Sequence, residues 1–280
     1  MAKGPVTSRI TQAEPRVRRG YFESRFGQLH LHNAIPPGGG FDEATALICL
    51  HGTPASGRTF RKLLTLVGRD RSVYAPDLPG YGESDPPPSR PTIADYAAAI
   101  ADFCDTMRFR QVDVLGHQSG AFVAAELAIV RPTVIRRVVL ASVPLPSDTE
   151  REAFRRAPWP VPPVEDGSHL LAEWKRILES RGAARGLELP ARELADRLYS
   201  GPNAWWGWHA ALQYTPRERL ALLTQPALIV RMHDSFWDST LRARELGPRA
   251  RVVELAEAGG DALEVAPEAI AAALREFLQG

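Results

Sequence analysis

Leu115-Gly116-His117-Gln118-Ser119-Gly120 is the stretch that decides the fold. It has the frame of a G-x-S-x-G elbow, in which a buried strand turns sharply into a helix and holds its middle residue up at the top of a sheet. In this frame the middle residue is Gln118, and Ser119 lies one place past the apex. The two glycines answer a steric demand, because so tight a bend packs against neighbouring backbone. A carboxamide cannot serve as the serine, cysteine or aspartate nucleophile of covalent catalysis. The same six residues therefore predict a known turn and withhold the group that usually works there.

Working outward, residues 111–115 read as the strand entering the turn, and 121–130 as the helix leaving it, stopped by Pro132. Residues 45–50 form a continuous apolar run, the mark of a strand covered on both faces. A helix is expected over 57–67, a strand over 72–75 and a Gly- and Pro-rich loop over 77–88. A second helix is expected over 92–107, with Thr92 as N-cap and Asp95 in its first turn. Residues 17–25 and 28–35 alternate like a hairpin about Phe26-Gly27, and 137–141 read as a further strand. Alternating strands and helices predict an α/β fold with a doubly wound, mainly parallel sheet.

From residue 144 the rhythm breaks. Pro144, Pro146, Pro158, Pro160, Pro162 and Pro163 interrupt the chain, and helical patches follow at 170–180 and 191–198. An aromatic cluster, Trp205, Trp206 and Trp208, comes next. This reads as a helical insertion over the C-terminal edge of the sheet. Strand and helix then resume at 227–231, 240–246, 251–255 and 267–278. The expected organisation is a core over 1–143, a helical cap over 144–215 and the rest of the core over 216–280.

With 280 residues the chain can bury a large core. Its 34 basic and 33 acidic residues leave a net charge of +1, which argues against a general binder of nucleic acid or anionic membrane. Residues 1–20 are polar and arginine-bearing, unlike a signal peptide, and no run of about 20 apolar residues spans a bilayer. Cys49 and Cys104 stand alone, giving neither a disulfide framework nor a metal cluster. A cytoplasmic setting, a monomer or homodimer, and no membrane or nucleic-acid partner are expected. No metal-ligand spacing, dinucleotide fingerprint or phosphate loop is read, so no cofactor and no metal are expected.

Four ordered motifs carry a resemblance. His51-Gly52-Thr53-Pro54 follows the third strand, Asp77-Leu78-Pro79-Gly80-Tyr81-Gly82-Glu83-Ser84-Asp85 follows the fourth, the elbow follows the fifth, and Gly259-Gly260 precedes the last helix. In this the chain resembles the α/β-hydrolase family, with the HGxP form of its epoxide-hydrolase and haloalkane-dehalogenase branch. The resemblance implies an oxyanion hole made by the backbone N–H groups of Thr53 and Ser119. It also implies a base histidine after Gly260, where this chain has Asp261. For the third triad position Asp234 is the first choice and Asp238 the second, with His233 nearby. His51, His117, Trp205, Trp206, Trp208 and Trp237 are expected to face substrate; Trp159, Trp174, Tyr214 and His209 are further cap candidates.

These residues suggest an atypical, non-hydrolytic enzyme (an isomerase, epimerase, lyase or cyclase) acting on a carbonyl-containing small molecule or peptide of specialised metabolism. Gln118 would orient the substrate, the hole would stabilise enolate charge, and Asp261 would move the proton. Two alternatives stand beside it: a ligand-binding pseudohydrolase without chemistry, and an ester or epoxide hydrolase whose nucleophile is replaced.

Overall fold

In the computed structural model, residues 14–38, 44–156, 162–181, 186–246, 250–259 and 262–279 are described. Strands β1 (Arg18–Ser24) and β2 (Gly27–Ala34) pair antiparallel, from Arg18 opposite Asn33 to Ser24 opposite Gly27. Then come β3 (Ala44–Leu50), a short 3-10 turn and α1 (Arg61–Val67), β4 (Arg71–Pro76), α2 (Ile93–Thr106), β5 (Val112–His117), α3 (Ser119–Val130) and β6 (Ile135–Ala141). Five helices separate β6 from the next strand: α4 (Asp148–Arg156), α5 (Ser168–Arg181), α6 (Glu188–Ser200), α7 (Trp206–Gln213) and α8 (Pro216–Leu220). The chain closes with β7 (Ala227–His233), α9 (Trp237–Arg242), β8 (Ala250–Gly259), α10 (Ala262–Val265) and α11 (Pro267–Gln279).

The strands form one sheet in the order β1-β2-β4-β3-β5-β6-β7-β8. Only the β1-β2-β4 side is antiparallel; every pairing from β4 to β8 is parallel. This is the doubly wound α/β arrangement expected from the alternation. All six residues of β4 and of β5 are buried, as central strands covered on both faces must be. One face carries α2 and α3, with Tyr96, Phe103 and Phe122 in its apolar cluster. The other carries α1 and α11, around Phe60, Leu64 and Leu274. Helix α3 uses Ala121, Ala124, Ala125 and Ala128, all buried, so it lies close against the sheet.

Parallel register brings the functional loops to one edge. Leu50 pairs with Gly116, His117 with Ala141, and Ala141 with Val230. The chain therefore leaves β3, β5, β6 and β7 side by side at their C-terminal ends, where open α/β sheets bind ligands. At the opposite ends, fully buried Asp113 is held by Arg71 (3.3 Å) and Arg136 (2.7 Å).

Local signals placed most elements. Thr92 and Asp95 close a full capping box on α2. The helix expected from 121 begins at Ser119, because the apex residue itself takes the N-cap position. Four helices among the described residues lie outside the expected ones: α4, α7, α8 and α10. The α4 sequence, Asp-Thr-Glu-Arg-Glu-Ala-Phe-Arg-Arg, carries too few apolar residues for a stripe. In α7 the tryptophans were read as a cluster rather than as the start of a helix.

Candidate active site

Gln118 stands at the apex of the elbow with φ 52° and ψ −124°, a conformation rare for any residue but glycine. Its amide N–H donates to the Ala141 carbonyl (2.9 Å), which locks the bend to β6. The flanking glycines are steric necessities. A methyl on Gly116 would overlap the Gly120 carbonyl, and one on Gly120 would overlap the carbonyls of Leu50 and His51. Gly52 gives room to the apex: a methyl there would sit 2.8 Å from Gln118 Oε1. The carboxamide thus lies against the His51-Gly52 turn.

Ser119 points elsewhere. Its hydroxyl accepts from the Thr53 amide (2.9 Å) and donates to Thr53 Oγ1 (3.0 Å), and the residue is buried. The Thr53 N–H, expected to face a substrate oxygen, is bonded here to a neighbouring side chain. The Ser119 N–H opens α3 and has no intrahelical acceptor by position. Above Thr53 lies α7. A methyl on Gly207 would overlap Thr53 Oγ1, and the Gly207 N–H donates to the Tyr81 hydroxyl (2.7 Å).

His51, expected to face substrate, is bonded at both ring nitrogens. It has no exposed surface; its Nδ1–H donates to its neighbour's carbonyl at Gly52 (3.0 Å), and its Nε2 accepts from the Leu78 amide (2.8 Å). Both nitrogens serve to join two loops, and none is left for substrate. Burial pushes its pKa down, against the pull of Asp77. His117 differs, because its buried Nε2 has no partner among the described residues. Burial, with His51 adding to it, lowers its pKa to about 4, so the ring is neutral near pH 7.

Gln118, His117, Gly52 and Thr53 line a cleft of about 440 Å³. Its other walls come from α1, α6 and α10. On α6, Leu189, Arg192, Glu193 and Asp196 face it at the i, i+3, i+4, i+7 spacing of one helical face. Arg58 faces it from the turn before α1, and Arg61 and Lys62 from α1 itself. Asp196 lies 3.7 Å from Arg58. Its pKa is raised, chiefly by burial, with Arg58 opposing and Asp77 adding to the rise. Sequence reading passed over Asp196, although the spacing within α6 would have placed it with Arg192 on one face.

The remaining expected site residues are scattered. Asp261 lies outside the described residues, as does Trp159. Asp234 follows β7, where its Oδ1 accepts from the Phe236 amide (2.8 Å). Its carboxyl is buried next to Ser142, and burial raises its pKa against the opposing pull of the Ser142 side chain. Trp205 and Trp208 line a different cavity of about 1320 Å³, together with His209, Tyr214, Phe236, Arg151 and Arg242. Gln118 is not among the residues of that cavity; α7 stands between them. Trp237 is taken up by Arg231, whose guanidinium sits 3.7 Å from its ring, and by His233 at its edge. Trp206 starts α7 and, like Trp237, lines neither cavity among the described residues.

Comparison with known proteins agrees with this architecture. The model of the alpha/beta hydrolase family matches residues 47–273. An uncharacterised protein of Mycobacterium bovis is 26% identical over 142 residues, 46% of this chain and 42% of that protein. The chain thus spans less than half the length of that relative. A lipase of Mycobacterium tuberculosis, LipV, is 28% identical over 192 residues, 66% of this chain and 67% of the lipase. Among solved structures, the enol-lactonase of Burkholderia xenovorans LB400 superposes with a TM-score of 0.76 at 17% identity, covering 93% of this chain and all of the other; that likeness is one of fold. No helix among the described residues is long and apolar enough to cross a membrane.

Proposed function

Since this chain belongs to the α/β-hydrolase family, we propose that it keeps that family's elbow cleft for a small molecule and works there without a covalent intermediate. The observation that carries the reading is the pairing of two facts. The strained apex carries a carboxamide, and the adjacent hydroxyl is turned away and spent on Thr53. Neither group is an activated nucleophile. What faces the cleft is suited to proton transfer and polar recognition instead. Gln118 offers both a donor and an acceptor to a carbonyl substrate. His117 offers a neutral ring nitrogen, and Asp196 a carboxyl whose raised pKa brings it towards the range of a working acid or base.

The reaction class that fits is proton abstraction or return next to a carbonyl, as in an isomerase, epimerase, lyase or cyclase of specialised metabolism. Asp196 is the proposed acid–base group within the described residues, and Asp261 keeps its place as the alternative. The two are tested apart. Exchange of solvent deuterium into carbonyl compounds, followed by NMR, reads the proton step directly. Asp196→Asn is expected to lower exchange at least a hundredfold while leaving ligand-induced thermal stabilisation in place. Undiminished exchange in that variant would remove Asp196, and the same test on Asp261→Asn would then decide the base.

One observation favours a second reading, a ligand-binding pseudohydrolase. The Ser119 hydroxyl fills the hydrogen-bonding position in which a substrate oxyanion would meet the Thr53 amide. Saturable ligand binding with no exchange in any variant would select that reading. Rapid ester or epoxide cleavage by the unaltered chain would overturn both.

A further inference from the structure

Three side chains outside the elbow cleft meet where β2 runs beside β4. His30 and His32 lie two residues apart on β2 and so project from the same face. Asp77 follows β4, the neighbouring strand, and its amide donates to the His30 carbonyl. All three are buried, and one ring nitrogen from each histidine and one carboxylate oxygen lie within 4.8 Å of one another. His30 Nδ1 is 2.8 Å from Asp77 Oδ2. The two rings stand edge to face, 4.9 Å apart at 88°.

The His30–Asp77 pair alone is ordinary structural bonding. His32 is what that explanation leaves over. It is only 7% exposed and has no hydrogen-bond partner among the described residues. A largely buried imidazole gains from a group that takes its lone pair.

We propose that His30, His32 and Asp77 form a site for a divalent transition-metal ion of the zinc class. Two imidazoles and one carboxylate suit zinc, cobalt or nickel better than magnesium or calcium, which prefer all-oxygen sites. The ion takes the place of the proton shared by His30 Nδ1 and Asp77 Oδ2. That proton moves to His30 Nε2, so His30 stays neutral and no net proton is released. The 2.8 Å separation opens only to about 3.3 Å, as metal–ligand bonds of ~2.0–2.2 Å at a tetrahedral centre require. Asp77 keeps its bonds from the Gly57 amide (2.7 Å) and the Glu83 amide (3.0 Å), which orient the carboxylate as outer-shell donors do.

The charges around the site set its strength. Among the described residues Asp77 is the anion of the cluster, while Arg58 and Arg61 act on His32 with the same sign as an ion. Three protein ligands against that repulsion place the affinity in the micromolar range rather than the far tighter range of closed four-ligand sites. The bound ion ties β2 to the loop after β4. That loop carries Tyr81, whose hydroxyl receives the Gly207 N–H and so holds α7 over the elbow. The role is therefore bracing, not catalysis.

The full chain, treated with EDTA and dialysed, is titrated with zinc chloride by calorimetry, and in parallel with cobalt chloride by visible absorption. One ion per chain at micromolar dissociation constant, with a low-coordinate cobalt spectrum, is expected. His32→Ala, checked for unchanged circular dichroism, is expected to weaken binding at least tenfold, while His209→Ala leaves it unchanged. In the imidazole NMR spectrum of the unaltered chain, the His30 and His32 signals should be the ones that move. Absence of a stoichiometric site, affinity unaltered in His32→Ala, or shifts confined to other histidines would overturn the proposal.

Discussion

Gly207→Ala examines how closely α7 rests on the elbow. On an open helix this change is stabilising by up to about 1 kcal/mol, because alanine loses less backbone freedom on folding. Here the added methyl would overlap Thr53 Oγ1 and stand 3.0 Å from both Thr53 Cβ and the Tyr81 hydroxyl. None of these is a loose side-chain tip. Thr53 Oγ1 is held by Ser119, and the Tyr81 hydroxyl by the Gly207 amide. Overpacking of this kind costs roughly 1–3 kcal/mol. Set against the helical gain, the net effect is destabilisation of about 1–2 kcal/mol. With an unfolding entropy of about 2.1 cal/mol/K per residue, a chain of 280 residues loses about 2–3 °C in Tm. Urea melts at fixed pH, with calorimetry for Tm, measure it. The mechanism is isolated by repeating the change on Thr53→Ala, which removes Oγ1. The cost should then shrink by about 1 kcal/mol, a coupling expected only of groups in contact. If Gly207→Ala is as stable as its parent or more so in the Thr53 background, α7 does not press on the elbow and the account of the site fails.

Acid should weaken the fold before the bulk of the carboxylates titrate. His51 and His117 are buried neutral, and the His117 pKa falls from about 6.5 when unfolded to about 4 in the fold. Between those values the unfolded chain binds more protons, so stability present above pH 6.5 is lost as pH falls, by about 1.4 kcal/mol per unit for His117, with His51 acting in the same direction. From pH 6.5 to 5, His117 alone accounts for roughly 2 kcal/mol; a urea midpoint that stays level across that window would contradict its burial as a neutral ring. Restoring a hydroxyl at the apex tests the site differently. Gln118→Ser is expected to give no burst and less than a tenfold gain in ester cleavage, because His51 is fully bonded and His117 is a poor proton acceptor. A burst of one product per chain would show that a working base stands within reach.

The fold was legible because its signals are local and redundant. The run 45–50, the capping box at Thr92 and Asp95, and the paired glycines of the elbow each have one physical solution, and all point to the same sheet. The apex was legible for the same reason, since only position 118 in that frame takes the positive φ. The surroundings of the apex were harder to read. Nothing in His51-Gly52-Thr53-Pro54 announces that Ser119 will turn back and occupy the Thr53 amide, because that bond joins residues 66 positions apart. Asp196 escaped because a carboxylate on an amphipathic helix reads as solvated until the facing element is known. The tryptophans misled in the opposite sense: composition suggested one aromatic pocket over the apex, whereas α7 puts Trp205 and Trp208 on its far side.

The geometry of this elbow does not depend on which side chain stands at its apex. Gly116 and Gly120 are required by backbone carbonyls less than a van der Waals contact away, and Gly52 by the apex side chain. Those demands hold whatever residue stands at 118, so the turn is compatible with a carboxamide there. A free hydroxyl left beside it would be another matter. Buried and unpaired, Ser119 Oγ and the Thr53 amide would each carry a desolvation cost of about 1–3 kcal/mol. Bonding them to each other removes both costs at once. Ser119→Ala separates this stabilising role from a chemical one. It should destabilise the chain by about that amount, since the Thr53 N–H loses its partner, and it should leave ligand binding at Gln118 intact. A Ser119→Ala variant of undiminished stability that no longer turns over substrate would assign the hydroxyl to catalysis and reverse the argument.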